Sequence, residues 1–161
     1  MDVLIREMCS DDIQAVQKIA ESSWHATYEG IIPEPIQNQF LNMAYSIESL
    51  EKRLNNSIFL VAEHDGKEIG FANFFDLKEG KESELAAMYL LPANQKQGIG
   101  TLLLQEGVSR LNRSMKLFAD VEKENYTGLA FYKARGFQEV SEFEDNLFGY
   151  AFKTKRLMLP L

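Results

Sequence analysis

The sequence predicts an α/β (α+β mixed) fold: a mixed, mostly antiparallel sheet of about seven strands flanked by helices, with one parallel strand–helix–strand unit at residues 84–121. Three observations lead there. Short apolar runs bounded by turn residues recur at 3–6, 58–63, 68–75, 85–91, 115–121, 137–143 and 149–159, as strands require. Between the first two runs, and again after the fourth, apolar residues return at helical spacing instead. The stretch 84–113 contains both periods: an apolar run stopped by Pro92, a polar loop, then Ile99, Leu102, Leu103 and Leu111 on a helix.

Taken in order, Val3, Leu4, Ile5 and Arg6 read as an edge strand. Ser10 offers an N-cap for a helix beginning near Asp11, with Asp11 and Asp12 matched to its dipole and Ile13, Val16, Ile19 and Ala20 on its apolar face. Residues 23–33 are less regular and rich in aromatic and polar groups; Trp24 and Tyr28, four apart, would share a helical face. Residues 35–55 read as two helices divided near Tyr45 and Ser46, with Ser46 and Ser49 as candidate N-caps. The runs 58–63 and 68–75 form a hairpin through Asp65-Gly66, and Gly70 marks a bulge or a close approach of another backbone. A charged loop, 78–83, feeds the central strand. After Asn125 a short helix stops at Gly136, a C-cap glycine, and the last two strands close the sheet around an acidic turn from Glu142 to Asn146.

Composition narrows the function. The 161 residues suit one domain, 1–161, able to bury about two-thirds of its unfolded surface. No run approaches the roughly 20 apolar residues of a membrane span, and the start lacks a signal-peptide pattern, so the expected location is cytoplasmic with no membrane partner. The single cysteine, Cys9, excludes an internal disulfide and a cysteine-based zinc site, and no cluster supports a metal or a nucleoside triphosphate. Seventeen basic against 24 acidic residues give a net charge of −7, which argues against nucleic acid and suits a cationic small-molecule substrate.

The loop Gln95-Lys96-Gln97-Gly98-Ile99-Gly100 carries the first chemical signal. Its glycines remove side chains that would keep a ligand off the backbone, the following helix points unpaired N–H groups at the gap, and Lys96 adds a full charge. A pyrophosphate suits such a turn. It is neither of two familiar phosphate loops: Gly-x-x-x-x-Gly-Lys-Ser/Thr is absent, and Leu103 stands where a dinucleotide fingerprint wants glycine or alanine. Taken alone, Gly98 and Gly100 suit a plain strand-to-helix turn equally well.

A second stretch adds Asn125 and Phe131-Tyr132-x-x-x-Gly136-Phe137 downstream of the next strand. Together, the strand, the Gln95-x-x-Gly98-x-Gly100 loop with its helix, and this ending resemble the GNAT superfamily of acetyl-coenzyme-A-dependent N-acetyltransferases, strongly over 84–137 and loosely elsewhere. The resemblance implies acetyl-coenzyme A as co-substrate, without a metal. It assigns Gln95, Lys96, Gln97, Gly98, Ile99, Gly100 and Thr101 to the pyrophosphate loop, and Met88, Tyr89 and Leu90 to the acyl and pantetheine portion, Leu90 foremost as a main-chain donor to the oxyanion. Asn125 would bond the pantetheine arm and Tyr132 would act as general acid. Trp24 and Tyr28 fall in a region that borders the acceptor groove in relatives; both also suit a core.

An alkylamine with a pKa near 10.4 leaves only about one molecule in a few thousand uncharged at neutral pH, so a base must remove a proton before attack. Many relatives carry a glutamate on the central strand where this chain has Ala86 and Ala87. Glu84, on the face of Ala86 by strand alternation, and Asp120, near the end of the next strand, are the candidates. Glu29, Glu34, Glu79 and Glu82 in segments near the groove suit a polyamine or other cationic amine, though a solvated acidic surface explains them as well. A peptide or protein N-terminus as acceptor, and an acetyl-coenzyme-A-binding sensor without turnover, stand as alternatives. The closing strands offer an edge for a homodimer.

Overall fold

A computed structural model describes residues 2–77, 81–111 and 113–161; Glu79 and the first part of the 78–83 loop lie outside the described residues. In chain order the elements are β1 (Leu4–Glu7), α1 (Ile13–Tyr28), α2 (Glu34–Ala44), α3 (Ile47–Asn56), β2 (Ile58–His64), β3 (Lys67–Asp76), β4 (Glu82–Leu90), α4 (Ile99–Ser109), β5 (Lys116–Glu122), α5 (Tyr126–Ala134), β6 (Gln138–Leu147) and β7 (Tyr150–Pro160). The strands form one seven-stranded sheet in the order β1-β2-β3-β4-β5-β7-β6, as the strand count and hairpins predicted. Every neighbouring pair is antiparallel except β4 and β5.

Each face of the sheet buries its own core. On one, Leu60, Ala72, Phe74 and Leu117 pack against Ile99, Leu103 and Leu104 of α4. On the other, Phe59, Val61 and Phe71 meet Val16, Ile19 and Trp24 of α1, with Leu41 and Leu50 from α2 and α3. The hairpin turns at Asp65 (φ 51°) and Gly66 (φ 73°), the left-handed pair that matches the strand twist. Gly70 meets both alternatives: the β2–β3 register slips beside it, and a Cβ there would lie 3.1 Å from the Tyr89 carbonyl oxygen of β4 and 2.3 Å from a Leu90 methyl.

Two features of β4 create the site. Its parallel pairing with β5 covers only Glu82–Glu84 against Lys116–Phe118. Beyond that the two strands are no longer paired, β4 continuing on β3 and β5 on β7, which opens a gap in the middle of the sheet. The second is a bulge. Asn73 faces Ala87 and Phe74 faces Leu85, leaving Ala86 as an extra residue. Leu85 therefore enters one core and Ala87 the other, so the strict alternation on which the expected shared face of Glu84 and Ala86 rested fails across this bulge.

Three local expectations are corrected. Ser10 is not an N-cap: Asp12 accepts the Cys9 N–H at 2.8 Å and both terminal nitrogens of Arg6 at 2.8 and 2.9 Å, closing a 3₁₀ turn before α1 begins at Ile13. Residues 23–28 are regular helix, because Trp24 and Tyr28 both bury on α1. The acidic segment 142–146 lies within β6; the turn sits at Phe148 (φ 50°) and Gly149 (φ 87°), with Gly149 N–H donating to Asn146 Oδ1 at 2.9 Å. Ser46 does cap α3, whereas Ser49 donates to the Ala44 carbonyl. Among the described residues no helix is long and apolar enough to cross a membrane.

Candidate active site

The gap between β4 and β5 widens into a cleft of about 860 Å³ whose walls include residues 85–90 of β4, Ser23, Tyr28, Asp120, Asn125, Tyr132 and the loop before α4. At that loop Lys96 (φ 62°) and Gly98 (φ 83°) are left-handed, and a Cβ on Gly98 would meet nothing within 4 Å. Alternating left- and right-handed residues turn successive N–H groups toward one point, and the first turn of α4 adds its own unpaired donors. Gly98 as N-cap provides no side chain to satisfy them. Gly100 is small for another reason, since a Cβ would sit 3.0 Å from the Phe131 ring.

The members of this loop divide by role. Gln95, Lys96, Gly98 and Gly100 line the cleft. Ile99 is buried in the core, so it contributes main chain alone, while the Gln97 side chain turns to the Ala93 carbonyl. Thr101 faces a residue that sequence reasoning missed: Arg135 donates to Thr101 Oγ1 at 2.9 Å and to the Phe131 carbonyl at 3.0 Å, and stacks 3.9 Å from the Phe131 ring centroid. Its signal was the four-residue spacing from Phe131 on α5, which puts both at the start of α4.

At the other end, three phenols converge. Burial pushes Tyr28 up to about 12, with hydrogen bonding to Tyr89 working against it. Burial also raises Tyr89 and Tyr132 well above the usual tyrosine range, each further raised by the negative charge Tyr28 would carry if ionised. All three stay protonated at neutral pH. Tyr132 is wedged between Phe131 and Phe137, with ring centroids 5.2 and 5.0 Å away. Asn125 caps α5 by accepting the Gly128 N–H at 3.0 Å. Gly128 fits here because a Cβ would lie 2.7 Å from the Asn125 amide. Trp24 does not reach the cleft. At 6% exposure it packs against Tyr28, Phe40 and Tyr89 and backs the tyrosines.

The carboxylates are arranged unequally. Asp120 lines the cleft and is held by Arg156 through two bonds of 3.0 and 3.2 Å. Glu84 lies behind it, half-buried; burial, then the Asp120 charge, raises its pKa. Glu122, which carried no signal in the sequence, is 7% exposed, accepts the Glu124 N–H at 2.7 Å, and is raised by burial. Among the described residues no group of three or more His, Cys, Asp or Glu side chains is placed to hold a metal ion.

Comparison with known proteins agrees with this geometry. A family model for the acetyltransferase (GNAT) domain matches residues 55–139. The chain is 31% identical to the uncharacterized N-acetyltransferase YuaI of Bacillus subtilis over 163 residues, covering 98% of this chain and 93% of that protein. It is 30% identical to the spermidine N(1)-acetyltransferase of Thermoplasma acidophilum over 146 residues, covering 86% of this chain and 89% of the relative. The fold matches the crystal structure of the PaiA N-acetyltransferase of the same organism in complex with coenzyme A, with a TM-score of 0.88, 24% identity and all of both chains covered.

Proposed function

The chain belongs to the GNAT family of acetyltransferases, and from that premise we propose that it transfers an acetyl group from acetyl-coenzyme A to the primary amine of a small cationic molecule, such as a polyamine, by direct attack in a ternary complex. One observation carries this reading: a single cleft joins the donor-rich start of α4 to the protonated Tyr132. The start of α4 fits a pyrophosphate, because Gly98 leaves open space over unpaired N–H groups and Lys96 and Arg135 flank it. Acetyl-coenzyme A, when bound, supplies an activated thioester carbonyl to the amine.

Each of the chain's groups then has a task. Main-chain N–H groups freed where β4 leaves β5, at Met88 and foremost Leu90, donate to the carbonyl oxygen as charge builds on it, whereas Tyr89, two before Leu91 whose N–H bonds the Ile69 carbonyl, turns its own N–H toward β3. Tyr132, kept neutral by burial, holds a proton on Oη for the departing sulfur. Asn125 keeps its amide Nδ2 for the pantetheine arm while Oδ1 caps α5. Asp120, on the cleft wall, takes the ammonium proton through water, with Glu84 behind it as a second carboxylate. Tyr28 borders the acceptor, and Trp24 fixes Tyr28.

Support for a cationic acceptor comes from the spermidine-acetylating relative and from Glu29 and Glu34, which line a hollow beside the cleft. Incubating the chain with acetyl-coenzyme A and a panel of polyamines, amino acids and short peptides should give mass-spectrometric acetylation of the polyamines first. Acetylation confined to peptides would move the acceptor class. Coenzyme binding with no acetylated product would favour a sensor.

A further inference from the structure

Beside the cleft, the end of α1 and the start of α2 enclose a second hollow of about 700 Å³, lined by His25, Glu29, Glu34, Gln37 and Tyr150 together with the main chain of 30–33. Ala26 lines both spaces, so the hollow adjoins the cleft across one residue of α1. Its floor holds an unmet hydrogen-bond acceptor. Gln37 is 2% exposed; its Nε2 donates to the Ile32 carbonyl at 2.9 Å, which fixes the orientation of the amide. Oε1 is left without a donor among the described residues. Buried acceptors are rarely left so, and a ligand donor would satisfy this one.

The rest of the lining narrows what that donor is. Glu29 and Glu34 bring two carboxylates, and neither has an ion pair among the described residues. Among the described residues His25 is the one basic residue in the lining, and its Nε2 is engaged with Asn38 Oδ1 at 2.9 Å. The Tyr150 hydroxyl donates to the Ile31 carbonyl at 2.8 Å, so its proton is spent. An adjoining hollow that shares Ile31 and Tyr150 differs in charge, with four lysines, Lys123, Lys133, Lys153 and Lys155, beside Glu122 and Glu124 in its lining. One unmet acceptor and two carboxylates, with no free cation among the described residues, suit an alkylammonium, which brings three N–H donors and a positive charge.

We propose that this hollow binds the distal ammonium group of a diamine or polyamine whose other, primary amine lies in the cleft, with Gln37 Oε1, Glu29 and Glu34 as its acceptors. The proposal rests on the acetyltransferase reading for the cleft but is separable from it by experiment. Spermidine is titrated calorimetrically into the full chain with coenzyme A present, and thiol release is followed with spermidine and with butylamine, which has no second charge. Glu29 and Glu34 are exposed, so E29Q/E34Q should fold normally. E48Q/E51Q on α3, where neither residue lines the hollow, makes the same change in net charge as a control.

The expected result is at least a tenfold rise in the spermidine Kd and KM in E29Q/E34Q alone, with kcat/KM for butylamine within twofold of the parent. An unchanged spermidine affinity, an equal loss for butylamine, or an equal loss in E48Q/E51Q would overturn the subsite. Turnover of other amines without spermidine binding would also overturn it, leaving the acetyltransferase reading intact. Spermidine binding that only E29Q/E34Q loses, in a chain that releases no thiol from any amine, would keep the subsite and sink the enzyme reading.

Discussion

At the scale of single residues, charge pairs are tuned by the hydrogen-bonding partners that the fold supplies and phenols by burial. Asp12 is the clearest case: Arg6 donates to both its oxygens and holds its carboxyl down to about 2, from an ordinary 3.8. A carboxyl depressed in the folded state adds stability that is present above the unfolded value and is lost as pH falls through the folded one. Asp12→Asn should therefore cost about 2 kcal/mol near pH 7, since each tenfold strengthening of an acid on folding is worth roughly 1.4 kcal/mol. In chemical denaturation the gap between parent and variant should close between about pH 4 and 2. A gap that stays constant over that range would show that Asp12 acts through packing instead. Tyr132 was legible in the sequence because its motif is local to α5, whereas Arg135 and Glu122 were not. Their meaning depends on Thr101 and on burial, which spacing does not encode.

At the scale of elements, α4 is pressed onto the sheet through Gly107. A Cβ there would lie 2.1–2.7 Å from ring atoms of the fully buried Phe74. Gly107→Ala should lower stability by about 1–3 kcal/mol, as overpacking does, and shift the thermal midpoint by several degrees. An unchanged midpoint would mean that α4 is free to lift from β3. Strands, helices and the glycine turn before α4 were readable from period and punctuation, since Pro92, Gly98 and Gly136 act on their own neighbours. The bulge at Ala86 was not. It is a property of pairing with β3, and it sends Leu85 and Ala87 into opposite cores. The turn at Phe148-Gly149 escaped as well, because acidic residues 142–146 look like a turn yet pair along β7.

At the scale of the whole molecule, the cleft exists because seven strands share a sheet whose one parallel pair is joined at a single end. A ligand spanning that gap would tie β4, α4 and α5 together and should bind the folded state alone. At a concentration a hundredfold above Kd, acetyl-coenzyme A should add about 2.7 kcal/mol, read as a raised thermal midpoint. No rise at saturating coenzyme would contradict the site. The two-face core and the mixed sheet were legible from composition and pattern; the gap between β4 and β5 was not, because pairing between distant strands leaves no local trace. Chemistry and architecture meet in one comparison: the initial rate of thiol release from acetyl-coenzyme A with a polyamine acceptor, for the parent, Tyr132→Phe and Asp120→Asn. At least a tenfold fall in kcat for both variants, with coenzyme affinity unchanged, is the predicted result; parent-like rates in both would contradict the placement of acetyl transfer in this cleft.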